Sequence, residues 1–184
     1  DAPQASVRRA LMLLGEPGEV ATMARRGTLD QAALHLGRPI RPMLATPVGD
    51  ADEVIRRVGD EAWIEDKYDG IRAQLHFVGG TARLFSRDLK EITVSFPDVA
   101  TATGALDHEL LLDGELVPFR EGAVLDFAAL QTRLGRVRPE PALLERVPVV
   151  YVAFDLLHLD GEDLPEHPLR DRRTALEGLS LPDR

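Results

Sequence analysis

Ile71-Arg72-Ala73-Gln74-Leu75-His76-Phe77-Val78-Gly79-Gly80-Thr81-Ala82-Arg83-Leu84-Phe85-Ser86 carries the signal from which the fold is read. Ile71, Ala73, Leu75 and Phe77 alternate with Arg72, Gln74 and His76, the period of a strand with one buried face. Gly79-Gly80 supplies the positive φ angles of a tight hairpin, so residues 81–86 return antiparallel to the first strand. Working outward, further strands are expected over 110–119 and 147–157. Helices are expected over 52–58, over 126–134 with Phe127, Leu130 and Leu134 on one side, and over 169–179 entered through Pro168. Hairpins interleaved with helices, without regular β-α-β alternation, make the expected class α+β on antiparallel sheet.

Upstream the pattern changes. Val7, Leu11 and Leu14 fall at helical spacing, Pro17-Gly18 interrupts, and residues 20–26 resume a helix. Thr28 followed by Gln31 has the form of a capping box, predicting a third short helix that ends near Gly37. With so few large apolar residues this piece makes a poor core alone and reads as the end of a larger unit. Arg38-Pro39-Ile40-Arg41-Pro42-Met43-Leu44-Ala45 is a proline-stiffened crossing that suits a boundary between residues 1–38 and 39–184. No internal repeat or low-complexity segment interrupts the chain.

The 184 residues are 44% hydrophobic, with 13 Pro, 15 Gly and no Cys, which suits one globular domain or one domain plus part of a second. Without cysteine there is no disulfide, thiolate nucleophile or Cys-based zinc site. His35, His76, His108, His158 and His167 lie too far apart for local zinc-ligand spacing. No stretch approaches the roughly 18 uninterrupted apolar residues of a membrane helix, and the N-terminus lacks a signal-peptide layout, so the expected setting is the cytoplasm with no membrane partner. A net charge of −9 argues against a chain whose whole task is coating nucleic acid, without excluding a local basic surface. Lys67 and Lys90 are the only lysines among 22 basic residues, a bias that reflects genomic base composition more than function and hints at a GC-rich bacterium.

Four segments could carry chemistry. In Glu65-Asp66-Lys67-Tyr68-Asp69-Gly70-Ile71-Arg72, three carboxylates lie within two residues of a lysine, and Trp63, Ile64, Tyr68 and Ile71 make the surroundings apolar. A solvated turn before a strand accounts for the same residues. A lysine is nucleophilic only when deprotonated, and an ordinary pKa of ~10.4 leaves about 1 in 2,500 neutral at pH 7. Burial or a nearby cation favours the neutral form and adjacent acids oppose it, so a nucleophile here needs a metal or other cations to offset them. In Leu111-Leu112-Asp113-Gly114-Glu115-Leu116-Val117, Asp113 and Glu115 would share a strand face roughly 6.6 Å apart, fit for a divalent metal, a ribose or acid/base work, unless Asp-Gly is simply a hairpin corner. In Val150-Tyr151-Val152-Ala153-Phe154-Asp155-Leu156-Leu157, Phe154 falls on the strand face opposite Tyr151 and Asp155, and one of those faces is core. In Ser86-Arg87-Asp88-Leu89-Lys90-Glu91-Ile92-Thr93, Arg87 could fork a phosphate or pair with Asp88 or Glu91. Gly-rich phosphate loops and nucleophile elbows are absent.

In order, these segments resemble the covalent nucleotidyltransferases, and specifically the ATP-dependent DNA ligases. Residues 65–72 are similar to the family's Lys-x-Asp-Gly-x-Arg nucleophile motif with its Glu two residues earlier. Ser86-Arg87-Asp88, Asp113-Gly114-Glu115 and Val152-Ala153-Phe154-Asp155 resemble the motifs that follow. Arg41-Pro42-Met43-Leu44-Ala45, Phe127 to Arg136, and Leu169 to Leu176 with its Arg172-Arg173 pair agree more softly, and Gly15-Glu16-Pro17-Gly18-Glu19-Val20-Ala21 resembles the close of the helical DNA-binding domain of larger ligases. The resemblance implies a nucleotidyltransferase (adenylation) domain of antiparallel sheets flanked by helices, preceded over 1–38 by the C-terminal end of that helical domain. It implies that Lys67 attacks the α-phosphate of ATP and carries AMP, with Mg2+ shielding the triphosphate and Glu115 near the metal. Glu65 would accept from the adenine amino group, Phe154 would stack on the ring, and Arg72 and Glu115 would hold the ribose. Arg87 would grip the 5′-phosphate of nicked duplex DNA. A monomer is expected, nucleoid-associated if bacterial. The family's Glu-Gly-x-x-x-Lys and Lys-x-Lys motifs and its OB-fold are not found before Arg184, so residues 39–184 read as a partial domain. An RNA ligase or capping-type enzyme, or a non-catalytic nucleotide- or DNA-end-binding module, shares parts of this pattern.

Overall fold

The computed structural model describes residues 2–43, 45–59 and 61–182, so expectations touching Asp1, Leu44 and Arg184 lie outside the described residues. The expected α+β class with antiparallel sheet is what is observed. Helices α1 (Gln4–Leu14), α2 (Pro17–Arg26) and α3 (Ala51–Val58) precede strands β1 (Ile71–Val78) and β2 (Thr81–Ser86). Helix α4 (Pro97–Ala102), strands β3 (Leu110–Arg120) and β4 (Ala123–Val124), and helices α5 (Phe127–Gln131) and α6 (Pro141–Arg146) follow. Strands β5 (Val149–Leu159) and β6 (Glu162–Asp163) and helix α7 (Leu169–Glu177) complete the order. The strands form one six-stranded antiparallel sheet in the order β2-β1-β3-β5-β6, with β4 paired to β3. Gly79 and Gly80 take φ of 56° and 72°, the tight hairpin expected of them.

Several local expectations change in detail. Thr28 makes no side-chain cap, and the third N-terminal helix is only a 3-10 turn over Leu29–Gln31. The helix expected over 126–134 stops at Gln131, capped at its start by the Asp126 carboxylate. Asp113-Gly114 is not a hairpin corner but the middle of an eleven-residue strand. The two-residue strands β4 and β6 close turns at Glu121-Gly122 and Asp160-Gly161, all four residues at positive φ.

Register sorts the central strands onto two faces. Ala73, Leu75 and Phe77 of β1, Leu110, Leu112 and Leu116 of β3, and Leu156 of β5 point to one face, where Phe96, Val99, Leu130 and Leu176 from the helical layer complete the core. The opposite face presents three cross-strand rows: Arg72, Glu115, Val152; then Gln74, Asp113, Asp155; then His76, Leu111, His158.

That second face was expected to be solvated, yet Gln74 and His76 are buried. The N-terminal segment covers them. Leu13, Leu14, Val20, Leu34 and Ile40 form a second cluster closed by Leu111, so the helices that lack a core of their own borrow the back of the sheet. The Gln74 carboxamide accepts from Ile40 N–H at 2.9 Å and donates to Ile40 C=O at 2.6 Å, replacing the strand partner the crossing chain lacks. His76 Nδ1 accepts from Gly37 N–H at 3.0 Å, and Asp163 accepts from Leu34 N–H at 3.1 Å.

Arg133, invisible to periodicity, is completely buried. Its guanidinium donates to Asp98, Ser95 O and Val147 O and lies over the Phe96 ring, so its charge is paired as burial requires.

Candidate active site

The first row of the back face lies beyond the N-terminal cover, and there, with Asp113 and Asp155 of the second row, the chemistry-bearing residues meet. Arg72 and Glu115 are cross-strand partners. Arg72 forks the Asp113 carboxylate, Nη2 to Oδ2 at 2.6 Å and Nε to Oδ1 at 3.1 Å, and donates to Met43 O at 3.2 Å. Asp113 raises the Arg72 pKa above its ordinary value, outweighing burial. The Arg72 guanidinium carbon is 5.7 Å from the Phe154 ring centroid.

Asp113 and Glu115 do share a face, but they are not a free carboxylate pair, because Arg72 neutralises Asp113. Glu115 makes no ion pair among the described residues. Burial raises its pKa, while the positive charges of Lys67 and Arg72 and the Gly70 backbone N–H pull the other way.

Two glycines let this region close. A Cβ on Gly114 would lie 2.5 Å from Tyr151 Cζ and 2.6 Å from Val152 O. A Cβ on Gly70 would overlap Leu116 O and meet the Glu115 side chain. The Tyr151 hydroxyl passes beneath Gly114 to donate to Ala73 O at 2.9 Å, with Leu112 O 3.2 Å away.

Lys67 lies in the irregular residues 61–69, immediately before β1. The apolar surroundings expected from the neighbouring residues do not desolvate Lys67: Trp63 and Ile64 turn outward, and Lys67 is exposed, its Nζ donating to Tyr68 O at 3.0 Å. The Glu65 carboxylate is not free but pairs with Arg173 of α7 at 3.0 Å. Arg170 likewise reaches Glu61, so α7 tethers the lysine segment through exposed pairs worth little individually. Arg87 is exposed in the turn after β2 and makes no ion pair among the described residues, since Glu91 is taken by Arg83 at 2.7 Å. It borders a crevice with Pro42, Arg72, Ser86 and Asp113.

Phe154 and Asp155 correct simple alternation. The ladder pairs Asp113 with Asp155 but Gly114 with Ala153, leaving Phe154 as an inserted residue. Tyr151 and Asp155 therefore lie on opposite faces, Tyr151 toward the core. Asp155 is forked by Arg172 of α7, with Nε to Oδ1 at 2.8 Å and Nη2 to Oδ2 at 2.9 Å. Sequence reasoning noticed the Arg172-Arg173 pair without finding this partner. A cleft of about 550 Å³ continues from Arg72, Asp113, Asp155 and Arg172 to Arg8 and Met12 of α1.

The antiparallel sheet thus gathers an arginine, two carboxylates and an aromatic ring beside a lysine segment, and it is this site rather than the fold alone that must carry a functional reading. The family described as the ATP dependent DNA ligase domain matches residues 42–183, and the chain belongs to it. A probable DNA ligase of Koribacter versatilis is 45% identical over 175 residues, 95% of this chain and 30% of its own length. One from Opitutus terrae is 40% identical across 96% of this chain and 21% of its own length. Among solved structures, the ligase domain of M. tuberculosis LigD aligns with a TM-score of 0.51 and 32% identity, covering 61% of this chain and 35% of that one. The chain thus spans less than a third of the length of these curated relatives. RNA-ligase, capping-enzyme and non-catalytic readings gain no support from them. No helix among the described residues is long and apolar enough to cross a membrane.

Proposed function

We propose that the chain forms a lysyl-adenylate on Lys67, the first step by which a longer, ATP-dependent DNA ligase seals nicks. The observation that carries this reading is the grouping of Arg72, Glu115 and Phe154 at the head of the strand that Lys67 leads into. The Lys67 Nζ lone pair attacks the α-phosphorus, the bond to the bridging oxygen breaks, and pyrophosphate leaves with that electron pair while Nζ loses its proton to solvent. The exposure of Lys67 suits a group that must reach a bound triphosphate. Arg72 and Glu115 hold the ribose, Phe154 stacks on adenine, and Glu65 accepts from the adenine amino group after leaving Arg173, a modest cost for an exposed pair.

Magnesium fits this donor set only as a substrate-bound ion, because no group of three His, Asp or Glu among the described residues gathers to hold one. Mg2+ is commonly held by one or two carboxylates together with substrate phosphates and water, and Glu115 would supply the carboxylate. When bound it neutralises triphosphate charge. The AMP then passes to the 5′-phosphate of nicked duplex DNA, gripped by Arg87, with cleavage of the phosphorus–nitrogen bond. Attack of the adjacent 3′-hydroxyl on that phosphate releases AMP and joins the strand. Residues 1–38 would be the end of a DNA-binding domain, and residues 39–184 part of the adenylation domain of a monomeric, cytoplasmic enzyme.

Intact mass before and after incubation with ATP and Mg2+ tests the first step. The expected result is a gain of one AMP that Lys67→Ala abolishes. A gain that survives Lys67→Ala would overturn the assignment.

A further inference from the structure

We propose that Asp155 and Arg172 are positioning residues that hold the β5 bulge open and thereby set Phe154 for the nucleotide base. This rests on the reading of Phe154 as the adenine platform. A bulge bends its strand and re-aims the inserted side chain, but it also strips backbone groups of ladder partners. Here the β3–β5 register shifts twice, at Phe154 and again at Leu157, and between the two shifts Leu156 N–H is taken by Asp155 Oδ1 at 2.9 Å. The same carboxylate is gripped by Arg172 through both Nε and Nη2, and Arg172 Nη1 donates to His167 O at 2.6 Å, anchoring the guanidinium in the loop that opens α7. The side chains of the pair are only 14% and 19% exposed, so the geometry is constrained by its surroundings.

Asp155 also lies directly opposite Asp113 across the β3–β5 ladder. Like charges in that position repel, and each needs its own cation. Arg172 serves Asp155, which leaves Arg72 to serve Asp113 and remain against the Phe154 ring. Loss of Arg172 would leave two facing carboxylates competing for Arg72 and draw it from the ring. The helix that lies farthest along the chain thus fixes the aromatic platform through one carboxylate.

The test measures lysyl-adenylate formation against ATP concentration in the full chain, for Asp155→Asn, Arg172→Gln, Phe154→Leu and the double variant Asp155→Asn/Phe154→Leu. Base stacking of this kind predicts a rise in KM for ATP of about tenfold for Asp155→Asn and Arg172→Gln, with little change in kcat. Arg172→Lys restores only part of the loss because an ammonium cannot fork a carboxylate. The double variant is no worse than Phe154→Leu, since both changes remove one interaction. A normal KM in Asp155→Asn while Phe154→Leu is impaired, or full additivity in the double variant, overturns the proposal. A normal KM in Phe154→Leu instead overturns the platform reading, and the base-positioning role with it. A second measurement needs no ATP: Leu156 amide exchange and the fluorine resonance of 4-fluorophenylalanine at position 154 should both change in Asp155→Asn. If neither moves, the clamp is refuted whether or not the chain adenylates.

Discussion

Gly114→Ala is expected to be among the most costly single-methyl additions in this protein. The new Cβ would stand 2.5 Å from Tyr151 Cζ, 2.8 Å from its hydroxyl and 2.6 Å from Val152 O. None of these atoms can yield freely. Val152 O belongs to the β3–β5 ladder, and the Tyr151 hydroxyl is held by Ala73 O. Overpacking a well-filled site costs typically about 1–3 kcal/mol. Displacing the ring to make room would strand a buried hydroxyl, about 1–3 kcal/mol more. The expected loss is therefore about 2–6 kcal/mol, a large share of the roughly 5–15 kcal/mol that holds a domain folded. Equilibrium urea unfolding followed by circular dichroism should show a lower midpoint with an unchanged slope. In a Tyr151→Ala background two of the three contacts vanish, so the same substitution should cost at least about 1 kcal/mol less. A loss below about 1 kcal/mol in the wild-type background, or no coupling between the two positions, would refute the argument.

Arg133→Ala should destabilise by about 3–5 kcal/mol in the same assay, because it leaves Asp98 and two buried carbonyls without their donor, whereas Arg133→Met should cost less. His76 is held neutral, its pKa lowered to about 4 chiefly by burial, with Arg83 and His158 adding repulsion. Its contribution to stability is complete above the unfolded value of ~6.5 and is lost as pH falls toward 4, reaching about 3 kcal/mol. The pH slope of unfolding free energy across that window should shrink by about one proton in His76→Gln, and an unchanged slope would contradict the assignment. Glu115→Gln removes a carboxylate whose raised pKa reports a folded state that disfavours its charge at neutral pH. Unfolding at pH 7 should therefore find the variant at least as stable as the parent, while its yield of adenylated chain falls.

Much of the site was legible because its signals are local. Gly79-Gly80 states a hairpin without help from the rest of the chain, since no other residue pair takes those φ angles so readily. Lys67, Arg72, Glu115, Phe154 and Arg87 announced themselves by type and order. The Asp160-Gly161 turn carried an equally local signal that could have revealed β6. Short helices such as α4 and α6 begin at Pro97 and Pro141 and are too brief for periodicity to show.

What tertiary structure alone decided is partnership. Gln74 and His76 have the pattern of a solvated face, and only the folded chain reveals that residues 37–40 cross it and take their hydrogen bonds. Simple alternation put Asp155 beside Tyr151, while the insertion of Phe154 into β5 moved it to the other face, opposite Asp113. Arg72 could have served either Asp113 or Glu115, and α7 supplies the Arg172 that settles the distribution of charge. Sequence by itself determined the four long strands and the hairpin, because φ preference and side-chain period act between near neighbours. Which arginine meets which carboxylate was decided by contacts between residues far apart in the chain, 41 positions for Arg72 and Asp113 and 108 for Arg173 and Glu65, where burial and register rather than spacing choose the partner.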